Sequence, residues 1–204
     1  MRNTFTKIVL AALSLIIPNL PAAIASPTVA PALVDNEPDV DLSVAREVER
    51  ELQRFRSARV PLRQALDIAE RLHAGSRTAD ISFDGKGDVL VFHVKTVKDQ
   101  LLWENTIDAL SGTVIGDEVA SSLSALDDDD QLDVVALNGV RQNLSDAVFI
   151  AESSTSGKAI SGGLKNEGGK LNFIIVVVAD DELKQVVLEP PRAKIRRSPP
   201  RGPR

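Results

Sequence analysis

The feature that most constrains this chain is an order of residues that occurs twice. Residues 61–70, PLRQALDIAE, return as residues 143–152, NLSDAVFIAE. Leu62 and Leu144, Ala65 and Ala147, Ile68 and Ile150, Ala69 and Ala151, and Glu70 and Glu152 coincide. Without a gap, Gly75 falls on Gly157 and Gly87 on Gly169, while Val89, Val91 and His93 fall on Leu171, Phe173 and Ile175. The glycines carry the most weight, because each marks a backbone need rather than an apolar spacing. A chain that repeats helix, stop and strands in order is expected to build one supersecondary unit twice.

The first copy shows what that unit is. Leu62, Ala65, Leu66, Ala69 and Leu72 line one helical face. Pro61 suits a first helical turn, and Gly75 suits the left-handed stop after the last. Ala79–Phe83, Val89–Val97 and Leu101–Ile107 follow as β-rich runs separated by the turns at 84–87 and 98–99. A helix followed by hairpin-linked strands gives an antiparallel sheet with the helix on one face. Upstream, Ala45, Val48, Leu52 and Phe55 form one apolar stripe on a charged helix. That stripe suits packing on the domain; two heptads are few for the alternative, a coiled-coil seam or partner-binding helix. The expected fold class is therefore α+β: two helix-plus-antiparallel-sheet units in tandem, preceded by an amphipathic helix.

The flanks set the compartment. Arg2 and Lys7 precede an apolar run, Ile8 to Ile17, that Pro18 stops. Ala23-Ile24-Ala25 before Ser26 is a small-x-small exit, so cleavage is expected between Ala25 and Ser26. Residues 1–25 read as a signal peptide, which places the protein in the periplasm or outside the cell. The run is too short to span a bilayer, which takes roughly 20 apolar residues. With no cysteine anywhere in the chain, disulfides contribute nothing to its stability.

The remaining boundaries follow composition. Residues 26–40, with Pro27, Pro31 and Pro38, read as a flexible leader, and 41–57 as the amphipathic helix. Residues 58–117 and 133–190 read as the two units. Residues 118–132, containing Asp127-Asp128-Asp129-Asp130, read as a solvated acidic linker. Residues 191–204 read as a disordered tail, with Arg192, Lys194, Arg196, Arg197, Arg201 and Arg204 among prolines and no acid. The chain as a whole has 29 acids against 24 bases, which argues against nucleic acid as the partner.

Residues 60–116 resemble the PepSY family. The helix pattern Leu62-x-x-Ala65-Leu66-x-Ile68-Ala69, Gly75 and three strands carry the resemblance. The most specific piece is the turn Asp108-Ala109-Leu110-Ser111-Gly112-Thr113, followed by Val114 and Ile115. The second unit has Leu188-Glu189-Pro190-Pro191 where that turn should be, so it is a degenerate copy. The resemblance implies a non-catalytic exported module of the kind found in propeptides of secreted metallopeptidases, with a peptidase-inhibiting or peptidase-regulating role. Tandem copies are also similar in architecture to β-lactamase inhibitory proteins.

No residue set points to catalysis, a cofactor or a metal. His73 stands at a helix end and His93 mid-strand, neither beside a nucleophile. An EF-hand pattern read from Asp128 meets Leu132 at the third ligand position and Asp133 at the turn glycine. Trp103 suits an interface anchor or a core position. The strand 171–179 is apolar on both faces, with Phe173, Ile175 and Val177 on one, so a covered or partner-binding face is expected there. Trp103, Phe173, Ile175 and Val177 are the candidate interaction surface. The expected partner is another periplasmic or secreted protein. The alternative is an envelope structural or stress-related role, with the basic tail held against anionic surfaces.

Overall fold

The structure is a computed structural model that describes residues 42–167 and 169–190. The signal with its Ala25/Ser26 exit, the leader and the basic tail (Arg192, Lys194, Arg196, Arg197, Arg201, Arg204) lie outside the described residues. Among the described residues, four helices and seven strands run in the order α1 (Leu42–Phe55), α2 (Leu62–Leu72), β1 (Arg77–Asp84), β2 (Val91–Lys98), β3 (Leu101–Asp108), β4 (Val114–Ser122), a 3-10 turn (Leu123–Ala125), α3 (Asp128–Asn138), α4 (Leu144–Thr155), β5 (Lys158–Glu167), β6 (Lys170–Ala179) and β7 (Glu182–Leu188). All strands join one antiparallel sheet in the order β4-β3-β2-β1-β5-β6-β7.

Helices α2 and α4 form where their apolar spacing demanded. Leu62, Ala65, Leu66 and Ala69 of α2 are buried, as are Leu144, Ala147, Val148 and Ala151 of α4. The small alanines let both helices lie close to the sheet, where together they cover Ile81, Phe92, Phe173 and Ile175. Leu52 and Phe55 anchor the end of α1, and the Phe55 ring meets Phe83 edge-on at 5.2 Å. Val48, one turn before Leu52, is 37% exposed.

The strand registers on either side of the β1–β5 junction match at a constant shift of 81 residues (Ile81 to Gly162). In β1–β2, Arg77 faces Val97, Ile81 faces Val94 and Phe83 faces Phe92; in β5–β6, Lys158 faces Val178, Gly162 faces Ile175 and Leu164 faces Phe173. In β2–β3, Val97 faces Leu102; in β6–β7, Val178 faces Leu183. The bulge between Thr78 and Asp80 has its counterpart between Ala159 and Ser161. The matching glutamates do the same work in both places. Glu70 accepts the Thr78 N–H at 2.9 Å, and Glu152 accepts the Ala159 N–H at 2.9 Å.

The buried positions of α2 and α4 are thus offset by 82 residues, whereas the matching strand registers are offset by 81. The left-handed stop is Gly75 (φ 87) after α2 but Ser156 (φ 56) after α4. Gly157 serves a different need, because a Cβ there would lie 2.5 Å from the Val178 carbonyl oxygen. His93 consequently matches Ile174, and Val94 matches Ile175.

Two further expectations are corrected. The acidic linker is not a linker. Residues 118–132 complete β4, make the 3-10 turn and begin α3. Asp127 caps α3 by accepting the Asp130 N–H at 2.9 Å, and Asp128, Asp129 and Asp130 fill its first turn. Carboxylates are stabilised there by unpaired N–H groups and the positive helix end. The first unit also gains a full fourth strand. Asp108 turns the chain into it by accepting from Leu110 N, Ser111 N and Ser111 Oγ. Those hydrogen bonds from Ser111 and Leu110 hold the Asp108 carboxyl below its usual range.

Replacing Gly157 by Ala should lower the unfolding free energy by about 2–3 kcal/mol, since backbone and two buried side chains must give way to one methyl. Urea denaturation monitored through Trp103 would check it. A loss under about 0.5 kcal/mol would mean that β6 is not held this close to the start of β5.

Candidate functional site

The two faces of the sheet are covered differently. A Cβ on Gly162 would meet Leu144 of α4, whereas a Cβ on Gly163 would lie 2.8 Å from Asp80 Oδ2. Asp80 in turn feels Asp130 of α3. So α2 and α4 pack on one face and α3 on the other. Val134 and Leu137 of α3 are buried against β5 and β6, beside Val176. The 3-10 turn adds Leu123, with Leu126 beyond it, also buried. Arg77 secures the chain between α3 and α4. Its guanidinium donates to the carbonyls of Leu137, Val140 and Gln142, and to Asn143 Oδ1.

On the α3 face, cross-strand neighbours form two polar rows. The first runs Gly163, Asp80, Lys95, Glu104, Val119. The second runs Ser161, Ser82, His93, Thr106, Ile115. Asp80, Ser82 and Ser161 are buried and Gly163 is half-buried, whereas the β3 and β4 ends open to solvent. Lys95 Nζ lies 3.7 Å from Glu104 Oε1. His93 bridges Asp84 (Nε2 to Oδ2, 3.5 Å) and Thr106 (Nδ1 to Oγ1, 3.3 Å). The contacts are long, the His93 side chain is half exposed and the strip is flat. A carboxylate, an imidazole and a hydroxyl thus stand in line on the sheet, outside any enclosed cleft. Among the described residues, no group of three His, Asp or Glu side chains is placed to hold a metal ion.

Sequence reasoning passed over Asp80, Lys95 and Glu104. Their signal was an acid, a base and an acid on three successive strands, visible only once register is known. Asp80 is buried at the β1–β5 junction. Burial is the main cause that pushes its carboxyl up to about 7; Lys95 pulls the other way, and Asp130 and Glu104 add to the rise. Asp133 of α3 is raised to about 6, again chiefly by burial, although it accepts the Asn166 N–H.

The expected interaction residues separate. Phe173, Ile175 and Val177 are fully buried on the face that α4 covers, so they are core, not surface. What covers the opposite side of β6 is α3 of the same chain. Trp103 is partly exposed and stacks on His73 at 4.0 Å, with an interplanar angle of 15°. His73 Nε2 also meets Glu118 Oε2 at 2.7 Å. His73, at the end of α2, thus joins Trp103 of β3 to Glu118 on the irregular part of β4, near the sheet edge.

The raised carboxyls set a pH dependence. Between about pH 4 and pH 7 the folded chain holds a proton on Asp80 that the unfolded chain has released, so stability falls as pH rises through that window. The effect should be on the order of a few kcal/mol. Thermal melts should give the highest Tm near pH 5, and Asp80→Asn, which mimics the protonated acid, should remove most of the slope. A wild-type Tm that rises from pH 5 to pH 8 would contradict the placement of Asp80.

Three comparisons bear on this arrangement. No curated protein matches the chain. A crystal structure described as a "putative lipoprotein" from Clostridium difficile 630 aligns at a TM-score of 0.38 and 20% identity, over 65% of this chain and 88% of that one. Residues 59–118 match the family model PepSY, "Peptidase propeptide and YPEB domain". That span begins just before α2 and ends within β4. This chain therefore carries one PepSY domain, at residues 59–118.

Proposed function

We propose that this protein is exported and acts without catalysis, by binding another periplasmic or secreted protein, such as a peptidase, and regulating it. The observation that carries this reading is the PepSY domain, whose description links it to peptidase propeptides. The export half rests on the charged start, short apolar run and small-residue exit of residues 1–25. No described helix is long and apolar enough to cross a membrane.

We also read the second half, α4 to β7, as a degenerate copy of the PepSY unit. The shared registers, shared bulge and shared glutamate bonds support that reading. The pairing of Ile81 with Gly162, flanked by Asp80 with Gly163 and Ser82 with Ser161, is what a local two-fold axis through that pair would produce. Two units joined in this way present one broad sheet. Its open strip of His93, Thr106, Glu104, Ile115 and Val119 is the surface offered to a partner. Cross-strand polar and β-branched side chains on a rigid floor suit a protein surface better than a small molecule.

The mature chain, residues 26–204, should be captured by an exported peptidase in crosslinked envelope and culture fractions, and should lower that peptidase's activity. His93→Glu combined with Thr106→Lys should weaken capture at least ten-fold while leaving the melting curve unchanged. Equal capture of the doubly substituted chain would move the surface elsewhere. No specific crosslinked exported protein in either fraction would remove the reading.

A further inference from the structure

The two edges of the sheet are not alike. β4 is blunted. Its register with β3 breaks between Glu104 and Thr106, Gly116 takes φ 73, and Asp117 and Glu118 stand on the irregular stretch. A bulge twists an edge away from partners, and acids that would face their own copies repel. The other edge, β7, has no bulge and no positive-φ residue, and its one acid, Glu182, stands at its first position. Its register with β6 runs unbroken from Phe173–Leu188 to Ala179–Glu182, and the strand contains no proline. Its only cation, Lys184, is drawn back along its own hairpin to Asp180 at 2.9 Å. Among the described residues nothing pairs with its outer side.

The sequence of β7 is also self-complementary. Set antiparallel to itself about Gln185, Leu183 faces Val187, Lys184 faces Val186 and Glu182 faces Leu188. No like charges meet, and two Leu–Val pairs fall on one face, covering a Val187 that is 50% exposed. Beside the edge on the other face, Ile150 and Leu188 line a shallow depression with Arg141 and Asp146.

We propose that β7 is a self-association edge, on which a second copy of this chain adds its own β7 antiparallel across a two-fold axis at Gln185. The contact is narrow, so the dimer is a weak and concentration-dependent one. It leaves the recognition strip on β2 to β4 free and does not depend on the partner proposed for that strip.

The chain contains no cysteine, so a single introduced thiol reports cleanly. Residues directly opposite in an antiparallel pair have Cα atoms about 4.5–5.5 Å apart, within disulfide range. Mature Gln185→Cys should form a disulfide-linked dimer under mild oxidation, whereas Val119→Cys on β4 should stay monomeric. Sedimentation velocity should show reversible dimers of the unmodified mature chain, with Val187→Lys raising the dissociation constant at least ten-fold at unchanged circular dichroism. A chain that stays monomeric at every concentration would overturn the proposal, as would equal crosslinking from both cysteines. Dimers that appear only after residues 191–204 are deleted would assign the edge to the tail and also overturn it.

Discussion

The structure depends on a short seam. Only three residue pairs join β1 to β5, yet they turn two hairpin-built sheets into one. The seam closes because its β5 side is nearly bare. At Gly162 a side chain would press on Ile175 Cδ1 at 3.0 Å and on Leu144 at 3.4 Å; at Gly163 it would strike the Asp80 carboxyl. Small residues at a junction let backbones approach, while the larger Ile81 opposite supplies the apolar contact. Both covering helices meet over this line, so sheet continuity and core continuity are one constraint.

The same seam explains the buried acid. Asp80 occupies the space that Gly163 leaves, with Lys95 across the strand pair and Asp130 above it. A carboxyl taken out of water favours its neutral form unless its partners repay the desolvation. One lysine shared with Glu104 does not repay it in full, hence the upward shift. The acids of α3 face the same region, so helix capping and burial act in opposite senses. Asp127 caps the helix by accepting the Asp130 N–H, while burial disfavours charge on Asp80 and Asp133.

Much of the fold was legible in the chain. The α2 stripe, the Asp108 turn and the repeated glutamate all correspond to features of the structure, because each rests on local periodicity or on a cap within a few residues. The acidic run misled, since four successive aspartates satisfy a solvated loop and a helix N-terminus equally well. The helix outcome follows from Val134 and Leu137, whose burial depends on a sheet face that local patterning does not reveal. Phe173, Ile175 and Val177 misled for the same reason. A strand apolar on both sides announces that something covers it, but not which element does.

By itself, the sequence determined the helices α1, α2 and α4, the three strands after α2, the recurrence of the α2 residue pattern at α4, and the absence of any disulfide. These depend on residue type and on neighbours close along the chain. Tertiary structure decided the rest: the one-residue offset between helix and strand alignments, the fusion at Ile81 and Gly162, the descent of α3 onto the far face, and the rows that bring Asp80 to Lys95 and His93 to Thr106. Those outcomes turn on contacts between residues distant in sequence, where close packing and desolvation select among arrangements that local preference leaves equal.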